Sequence, residues 1–304
     1  MNVCEKVTDY LKYCRFRKEL DEKTLKAYRI DLRQFFEFIK GDNPEKNEIE
    51  DYITELHKQY KQKTIKRKLA SIKAFYNYLE EEEIIEVNPF HKIKTKFKET
   101  IVLPRIIPRK EIEQLMNYMY MRLRTGKKED RYMLRDMAIV ETFFATGARV
   151  YEISNIKVDC IDLNTGLICF MGKGGKERYV QIAEPTIIDL LNRYYEANQG
   201  IIQKTGYFFI NQRGERYTEQ SIRLMLKKYT KLAGISRNIT PHMFRHSFAT
   251  YLIEEGVDVS CVQQILGHSS IKTTQIYIHI AAKKQAEILR CLHPRNRMQI
   301  KGVA

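Results

Sequence analysis

The sequence predicts a mainly α-helical protein of two domains, with a small antiparallel β-sheet in the C-terminal domain. Its 304 residues suit two domains of about 100–200 residues each. Apolar residues recur at helical spacing through most of the chain, whereas one glycine-rich turn separates two short β-forming runs. We therefore expect a helical bundle (residues 1–87), a linker (residues 88–108) and an α+β domain with a C-terminal tail helix (residues 109–304).

The first domain is predicted to contain helices only. Asp21 is a suitable N-cap and Gly41 a suitable stop for a helix between them. The apolar face of that helix is Leu25, Tyr28, Leu32, Phe35, Phe36 and Ile39. Further helices are predicted over 45–59 and 63–82. The buried stripe of the last helix is Ile65, Leu69, Ile72, Phe75, Tyr76 and Leu79, so residues 66–68 and Lys73 fall largely on its outer face.

Prolines and glycines predict the boundaries of the linker and of several elements in the second domain. Three of the seven prolines lie in 88–108, where lysines alternate with other residues and no helical period is present. Helices are then predicted over 109–121 and 130–146, and strands over 167–171 and 178–182 flank a turn at 172–176. A further strand is predicted over 207–210. Helices resume at Thr218, and Thr240 with Pro241 begins a helix that stops before Gly256.

The net charge of +15 and the pI of about 9.4 indicate a polyanionic partner, nucleic acid before membrane, although many basic proteins bind no particular polyanion. Residues 201–304 contain 16 Lys and Arg against 6 Asp and Glu, and a second basic run lies at 58–73. Two separated basic surfaces suit a protein that grips a duplex from two sides. No apolar run approaches the ~18 residues of a membrane span, and the first twenty residues carry charges throughout, so we expect a cytoplasmic protein. The six scattered cysteines, with no CxxC pair, are expected to be reduced.

Five short segments of the second domain carry the residues best suited to chemistry. They are 145–154, where a helix is predicted to break at Gly147 and to present Arg149, 172–178 with Lys173, 242–246 with His242 and Arg245, 266–269 with His268, and 273–279 with Tyr277. Each segment alone is a weak signal. The GKGGK turn lacks the spacing of a phosphate-binding loop, and HMFRH has a cationic arginine between its histidines, which disfavours zinc.

Together these residues form a coherent set for phosphoryl transfer. Guanidinium groups match the non-bridging oxygens of a phosphodiester, and a tyrosine can form a covalent phosphotyrosine. A lysine can protonate the departing 5′-oxygen. We expect no metal cofactor, because no carboxylate cluster suits Mg²⁺.

In order and spacing, the five segments resemble the tyrosine recombinase (phage integrase) family, and within it the Xer-type recombinases and mobile-element integrases. The resemblance extends to the N-terminal segment KTIKRKLASIKAFYNYL and the following NPF. It implies that Arg149 and Arg245 are the family's two arginines, that Lys173 is the general acid and that Tyr277 is the nucleophile. By the same resemblance, His242 assists proton transfer or binds the phosphate, and His268 is the histidine of the LGH segment. His246 and His279 are expected to be structural or supportive.

The resemblance also implies a two-domain DNA clamp and a homo-tetramer on two double-stranded DNA sites. Strand exchange would pass through a Holliday junction without ATP or metal, and a tail helix at 281–292 would pack on a neighbouring protomer or on its own domain. The candidate DNA contacts are Lys63, Lys66, Arg67, Lys68, Lys73, Lys176 and Arg178.

Two other functions stay open: a DNA-binding architectural protein that does not cut, and a type IB topoisomerase that relaxes supercoils by the same tyrosine attack. The DNA target, the need for a second recombinase or an accessory factor, and the choice between chromosome-dimer resolution and mobile-element integration or excision stay open as well.

Overall fold

The structure, a computed structural model, describes residues 5–39, 41, 44–93, 105–125, 130–172 and 177–267. The chain divides into two compact units, Met1–Thr100 and Ile101–Ala304. Within the described ranges, no helix is long and apolar enough to cross a membrane.

The first unit is a bundle of the helices α1 (Lys6–Phe16), α2 (Glu22–Ile39), α3 (Lys46–Gln59) and α4 (Gln62–Glu81). The predicted N-cap of α2 is confirmed, because the backbone N–H of Thr24 donates to Asp21 Oδ1 at 2.8 Å. Every residue of the stripe predicted for α4 is buried. That stripe packs with aromatic residues of α2, including Phe35, to form the core of the bundle.

The prediction that residues 66–68 face outward is wrong for Lys68, which is 3% exposed. Its Nζ donates to Asp31 Oδ1 at 3.2 Å, and Arg67 and Ser71 also donate to the same carboxylate. Asp31 on α2 is fully buried, and a buried carboxylate is stable only when charges and hydrogen bonds compensate it. Lys68 therefore links α4 to α2, and the DNA contact predicted for it stays a prediction.

Both ends of the predicted linker are packed against a core. Phe90 and Ile93 belong to the core of the helical bundle, and Ile107 belongs to the core of the second unit. The Ile107 backbone is also hydrogen-bonded on both sides, since its N–H donates to Ser247 Oγ at 2.8 Å and its carbonyl accepts from the Tyr251 hydroxyl.

The second unit is an α+β domain. Its elements in chain order are α5 (Arg109–Thr125), α6 (Arg131–Thr146), α7 (Val150–Ser154), β1 (Ile161–Asp162), β2 (Leu167–Met171), β3 (Glu177–Gln181), α8 (Pro185–Glu196), α9 (Gln199–Thr205), α10 (Glu219–Leu232), α11 (Pro241–Glu254) and α12 (Val259–Leu266). The helix α6 is the centre of this unit and packs against α5, α8 and α11. The sheet is antiparallel in the order β1-β2-β3, and Phe170 of β2 lies opposite Arg178 of β3.

The sheet differs from the prediction in two places. The two-residue strand β1 has too few residues to show an alternating pattern and was not predicted. The strand predicted over 207–210 is wrong, because Tyr207 and Ile210 form isolated bridges instead. The reason lies in Tyr194 of α8: its hydroxyl donates to the Phe208 carbonyl at 3.0 Å and accepts the Ile210 N–H at 3.1 Å, so a side chain satisfies backbone groups that a strand would pair.

Candidate active site

Arg149 is presented by a fixed break between two helices. The helix α6 ends at Gly147, which has a φ of 59°, and Arg149 is the N-cap of the short helix α7. A Cβ at Gly147 would lie 2.5 Å from Phe248 Cδ1 and 2.8 Å from Leu266 Cδ2. Both the left-handed backbone and the lack of space require glycine here, so the break that was predicted at this residue is confirmed and its position is fixed.

Arg245 joins this break to the end of α12. It lies on α11, is 5% exposed, and donates from Nη1 to the Gly147 carbonyl at 2.8 Å and from Nη2 to the Leu266 carbonyl at 2.6 Å. Because a guanidinium is planar, two bonds from its two terminal nitrogens fix the orientation of the whole group.

A buried glutamate that the sequence analysis missed lies between two arginines. Glu152 is 3% exposed, its Oε1 accepts from Arg149 Nη1 at 2.8 Å, and its Oε2 accepts from Arg178 Nη2 at 2.8 Å. Its Oε2 also accepts the backbone N–H of Arg149 at 2.7 Å. The spacing of Arg149 and Glu152 is that of a helix cap and its third residue, which is the local signal that could have identified Glu152.

The charge of this glutamate is stabilised by its neighbours. Burial by itself raises the pKa of Glu152, but the hydrogen bond and charge of Arg178, followed by the backbone N–H and charge of Arg149, hold that pKa below its ordinary value. Glu152 is therefore ionised at neutral pH and fixes both arginines.

Arg178, which the sequence analysis predicts to contact DNA, has its guanidinium engaged inside the domain. Its side chain is 10% exposed, it bonds to Glu152, and its Nη1 donates to the Ile265 carbonyl. Its Cζ also lies 4.6 Å from the centre of the Phe170 ring. These contacts fix the orientation of the Arg178 guanidinium inside the domain.

Three arginines surround the C-terminal end of α12. The carbonyls of Ile265 and Leu266 accept from Arg178 and Arg245, and Arg149 Nη2 makes a longer contact of 3.5 Å with the Gly267 carbonyl. Cations at a helix C-terminus satisfy terminal carbonyls and the negative end of the helix dipole. Arg149 and Arg245, which are predicted to bind the phosphate, thus hold the chain directly before position 268 together with Arg178.

The two histidines of α11 differ in exposure. His242, at the start of the helix, is exposed, whereas His246 is half-buried. Burial, and then the charges of His242 and Arg245, lower the pKa of His246, so its neutral form is favoured. His242 and Arg245 are three residues apart on the first turns of α11, as the sequence predicts.

The structure brings Arg149, Arg245, Glu152 and Arg178 together. Lys173, Lys176, His268 and Tyr277 lie outside the described residues, as does the predicted tail helix at 281–292. Within the described ranges, no three His, Cys, Asp or Glu side chains form a group that could hold a metal ion.

Of the DNA contacts predicted on α4, Lys63 is exposed and Lys66 and Lys73 are half-buried. Burial lowers the pKa of Lys73. Arg67 keeps 45% of its side-chain surface exposed although it pairs with Asp31. These four residues stay candidates for DNA contacts.

The α+β unit is thus a fold that presents two fixed guanidinium groups beside a histidine-bearing helix, which is an arrangement suited to a phosphodiester. The profile of the phage integrase family matches residues 105–284, and the profile of the phage integrase N-terminal SAM-like domain matches residues 7–83. The chain belongs to this family, the tyrosine recombinases, and it is a site-specific recombinase.

Relatives along the whole length agree with this assignment. A tyrosine recombinase of Agathobacter rectalis is 44% identical over 299 residues, which cover 97% of this chain and 98% of the relative. The tyrosine recombinase XerC of Thermodesulfovibrio yellowstonii is 34% identical, with coverage of 95% and 96%.

Solved structures share the fold. The XerH site-specific recombinase bound to palindromic difH substrate, in a post-cleavage complex, has a TM-score of 0.75 at 22% identity and covers 95% of this chain and 84% of its own. A lambda integrase dimer bound to a COC′ core site has a TM-score of 0.69 at 16% identity, with coverage of 91% and 95%.

Proposed function

We propose that this recombinase cleaves and rejoins duplex DNA through a 3′-phosphotyrosine intermediate on Tyr277. The observation that carries the proposal is the joint fixation of Arg149 and Arg245 at the Gly147 break, with the end of α12 held between them just before His268. Two preoriented guanidinium groups suit the charge that develops on a phosphodiester in its transition state, where such groups supply several kcal/mol.

In the proposed cleavage step, the Tyr277 oxygen attacks the scissile phosphorus and loses its proton as the new P–O bond forms. The bond from phosphorus to the 5′-oxygen of the next nucleotide breaks, and Lys173 donates a proton to that oxygen. Arg149 and Arg245 stabilise the negative non-bridging oxygens, and His242 and His268 bind the phosphate or assist proton transfer.

Because the phosphotyrosine keeps the energy of the phosphodiester bond, rejoining needs no ATP. A free 5′-hydroxyl attacks the same phosphorus and gives its proton to Lys173, the bond to Tyr277 breaks, and the tyrosine oxygen is protonated again. When that hydroxyl belongs to the partner duplex, the product of the first exchange is a Holliday junction, and the second exchange resolves it.

The proposed partner is double-stranded DNA, bound by a homo-tetramer on two sites in the cytoplasm. Its support is the net charge of +15 and the complexes with DNA formed by XerH and lambda integrase. We assign DNA binding to the domain 1–87, through Lys63, Lys66, Arg67 and Lys73. In the second domain we assign it to Lys176. Residues 88–108 connect the domain 1–87 to the catalytic domain, 109–304. The process served is chromosome-dimer resolution or mobile-element integration and excision.

The test begins with selection of the bound sequence from a random duplex library, followed by a nicked suicide substrate built on that sequence. A covalent protein–DNA adduct that survives denaturation is expected with the unaltered protein and is expected to be absent with Tyr277→Phe. Tyr151→Phe is the matched control, since Tyr151 is 51% exposed and lies two residues after Arg149, and it should retain the adduct.

Two outcomes would contradict the proposal. Tight DNA binding without any adduct would favour an architectural protein that does not cut. Relaxation of a supercoiled plasmid that lacks the selected sequence would favour a topoisomerase of type IB.

A further inference from the structure

Arg178 contacts β2, α7 and α12, and each of these elements lies next to a residue of the proposed site in the chain. It lies at the start of β3, five residues after Lys173 in the chain, and its guanidinium bonds to Glu152 of α7 and to the Ile265 carbonyl of α12. Its Cδ would lie 2.7 Å from a Cβ at Gly267, so the last residue before position 268 packs directly on the arginine stem.

One further contact of Arg178 lies within the sheet itself. Phe170, the cross-strand partner of Arg178, lies with its ring centre 4.6 Å from the guanidinium and already anchors β3 to β2. The remaining donors point away from the sheet, to Glu152 at 2.8 Å and 3.4 Å and to the end of α12. They connect the hairpin to the carboxylate that binds Arg149 and to the end of α12.

We infer that Arg178 is a positioning residue for DNA cleavage, which holds Glu152 against Arg149 and keeps the end of α12 at the site. The inference rests on the proposed function, because it assumes that Arg149 and His268 act on the phosphate. It replaces the role in DNA binding that the sequence suggested for Arg178.

A positioning role that acts through charge predicts a change in the pH dependence of cleavage, whereas a role in packing alone does not. Among the described residues, Arg178 and Arg149 are the charged groups that lower the pKa of Glu152 against the effect of burial. Loss of Arg178 leaves Glu152 with Arg149, so the pKa of Glu152 rises and the carboxylate is protonated at a higher pH than before. Protonation weakens its hold on Arg149, so the acid side of the rate–pH profile should move to higher pH.

The chain offers a closely matched control in Arg135. That arginine is also buried, donates to a carboxylate (Asp136, 2.6 Å) and to a backbone carbonyl (Ile210, 3.1 Å), and lies over an aromatic ring (Tyr217, 3.9 Å). None of these contacts is with Arg149, Glu152 or the end of α12, so its loss should reproduce the structural damage without the effect on the site.

The experiment measures single-turnover adduct formation on the nicked suicide substrate at saturating protein, as a function of pH. Arg178→Gln should slow cleavage on the order of tenfold to hundredfold and move the acid side to higher pH, and Arg178→Lys should recover part of the rate. Arg135→Gln should leave both quantities unchanged at a temperature where circular dichroism shows it folded. Glu152→Gln combined with Arg178→Gln should remove the shift of the acid side, because no carboxylate is then left at position 152 to titrate.

DNA affinity separates positioning from direct contact. A positioning residue leaves the slope of log K against log salt unchanged, whereas loss of a phosphate contact reduces it by about 1. An unchanged rate and pH profile for folded Arg178→Gln, or a reduced salt slope, would overturn the inference while the adduct of the unaltered protein would still support the proposed function. If the unaltered protein forms no adduct, it is the proposed function that fails.

Discussion

Replacing Asp31 by asparagine should strongly destabilise the helical bundle, because it leaves the Lys68 ammonium buried without its carboxylate. Asp31 is fully buried and Lys68 is 3% exposed, and their charged atoms lie 3.2 Å apart. Arg67, the other cation on Asp31, is 45% exposed and can turn to water. The penalty therefore falls on Lys68, and removal of one partner of a buried pair costs about 3–5 kcal/mol.

Hydrogen exchange followed by mass spectrometry measures this effect, because peptides from α2 and α4 report the bundle separately from the second unit. The matched control is Asp9→Asn in α1. Asp9 is 52% exposed and lies 3.8 Å from Lys6, so its loss should change the free energy of unfolding by less than about 1 kcal/mol.

The double variant Asp31→Asn, Lys68→Met tests the assigned cause. It removes both charges and should recover most of the stability that Asp31→Asn loses. The buried Lys68 charge is not the cause if Asp31→Asn lowers the free energy of unfolding no more than Asp9→Asn does. The same conclusion holds if the double variant is as unstable as Asp31→Asn alone.

Three further changes test the second unit by chemical denaturation. Gly147→Ala should lose at least about 2 kcal/mol, since alanine is strained at a φ of 59° and its Cβ overlaps Phe248; unfolding at the normal denaturant concentration would contradict this. Tyr194→Phe keeps the ring but leaves the buried Ile210 N–H without its acceptor, so we expect a loss of about 1–3 kcal/mol, and a neutral effect would disprove the bond. Burial raises the pKa of Glu141, so the folded protein binds this proton more tightly than the unfolded chain, and stability is lost as the pH rises through the folded pKa. Glu141→Gln should therefore stabilise the protein at pH 8 and have little effect at pH 4, whereas an equal gain at both values would show that ionisation is not the cause.

The sequence predicted most of the features that depend on local patterns. The buried stripe of α4 could be predicted because its apolar residues recur at helical spacing. The break at Gly147 could be predicted because glycine commonly ends a helix, and Arg149 follows two residues later. The combination of Arg149, His242 and Arg245 identified the kind of site, although each residue alone is a weak signal.

What the sequence could not supply are the partners that are distant along the chain. Lys68 looks like one more surface lysine until Asp31, 37 residues away, is placed against it. In the sequence, Arg178 looks like a basic residue available to DNA. Its partner Ile265 is 87 residues away along the chain, so no local pattern indicates the bond between them. The segment 207–210 has the composition of a strand, but the hydroxyl of Tyr194 takes the place of a neighbouring strand.

The central claim is that Tyr277 forms the covalent bond to the 3′ end of the cleaved strand. The direct measurement is mass spectrometry of the trapped adduct after digestion with trypsin and nuclease. Trypsin releases residues 273–283, TTQIYIHIAAK, in which Tyr277 is the single tyrosine. We expect a nucleotide joined through its 3′-phosphate to Tyr277 in this peptide. A nucleotide on any other residue, or one joined through a 5′-phosphate, would contradict it.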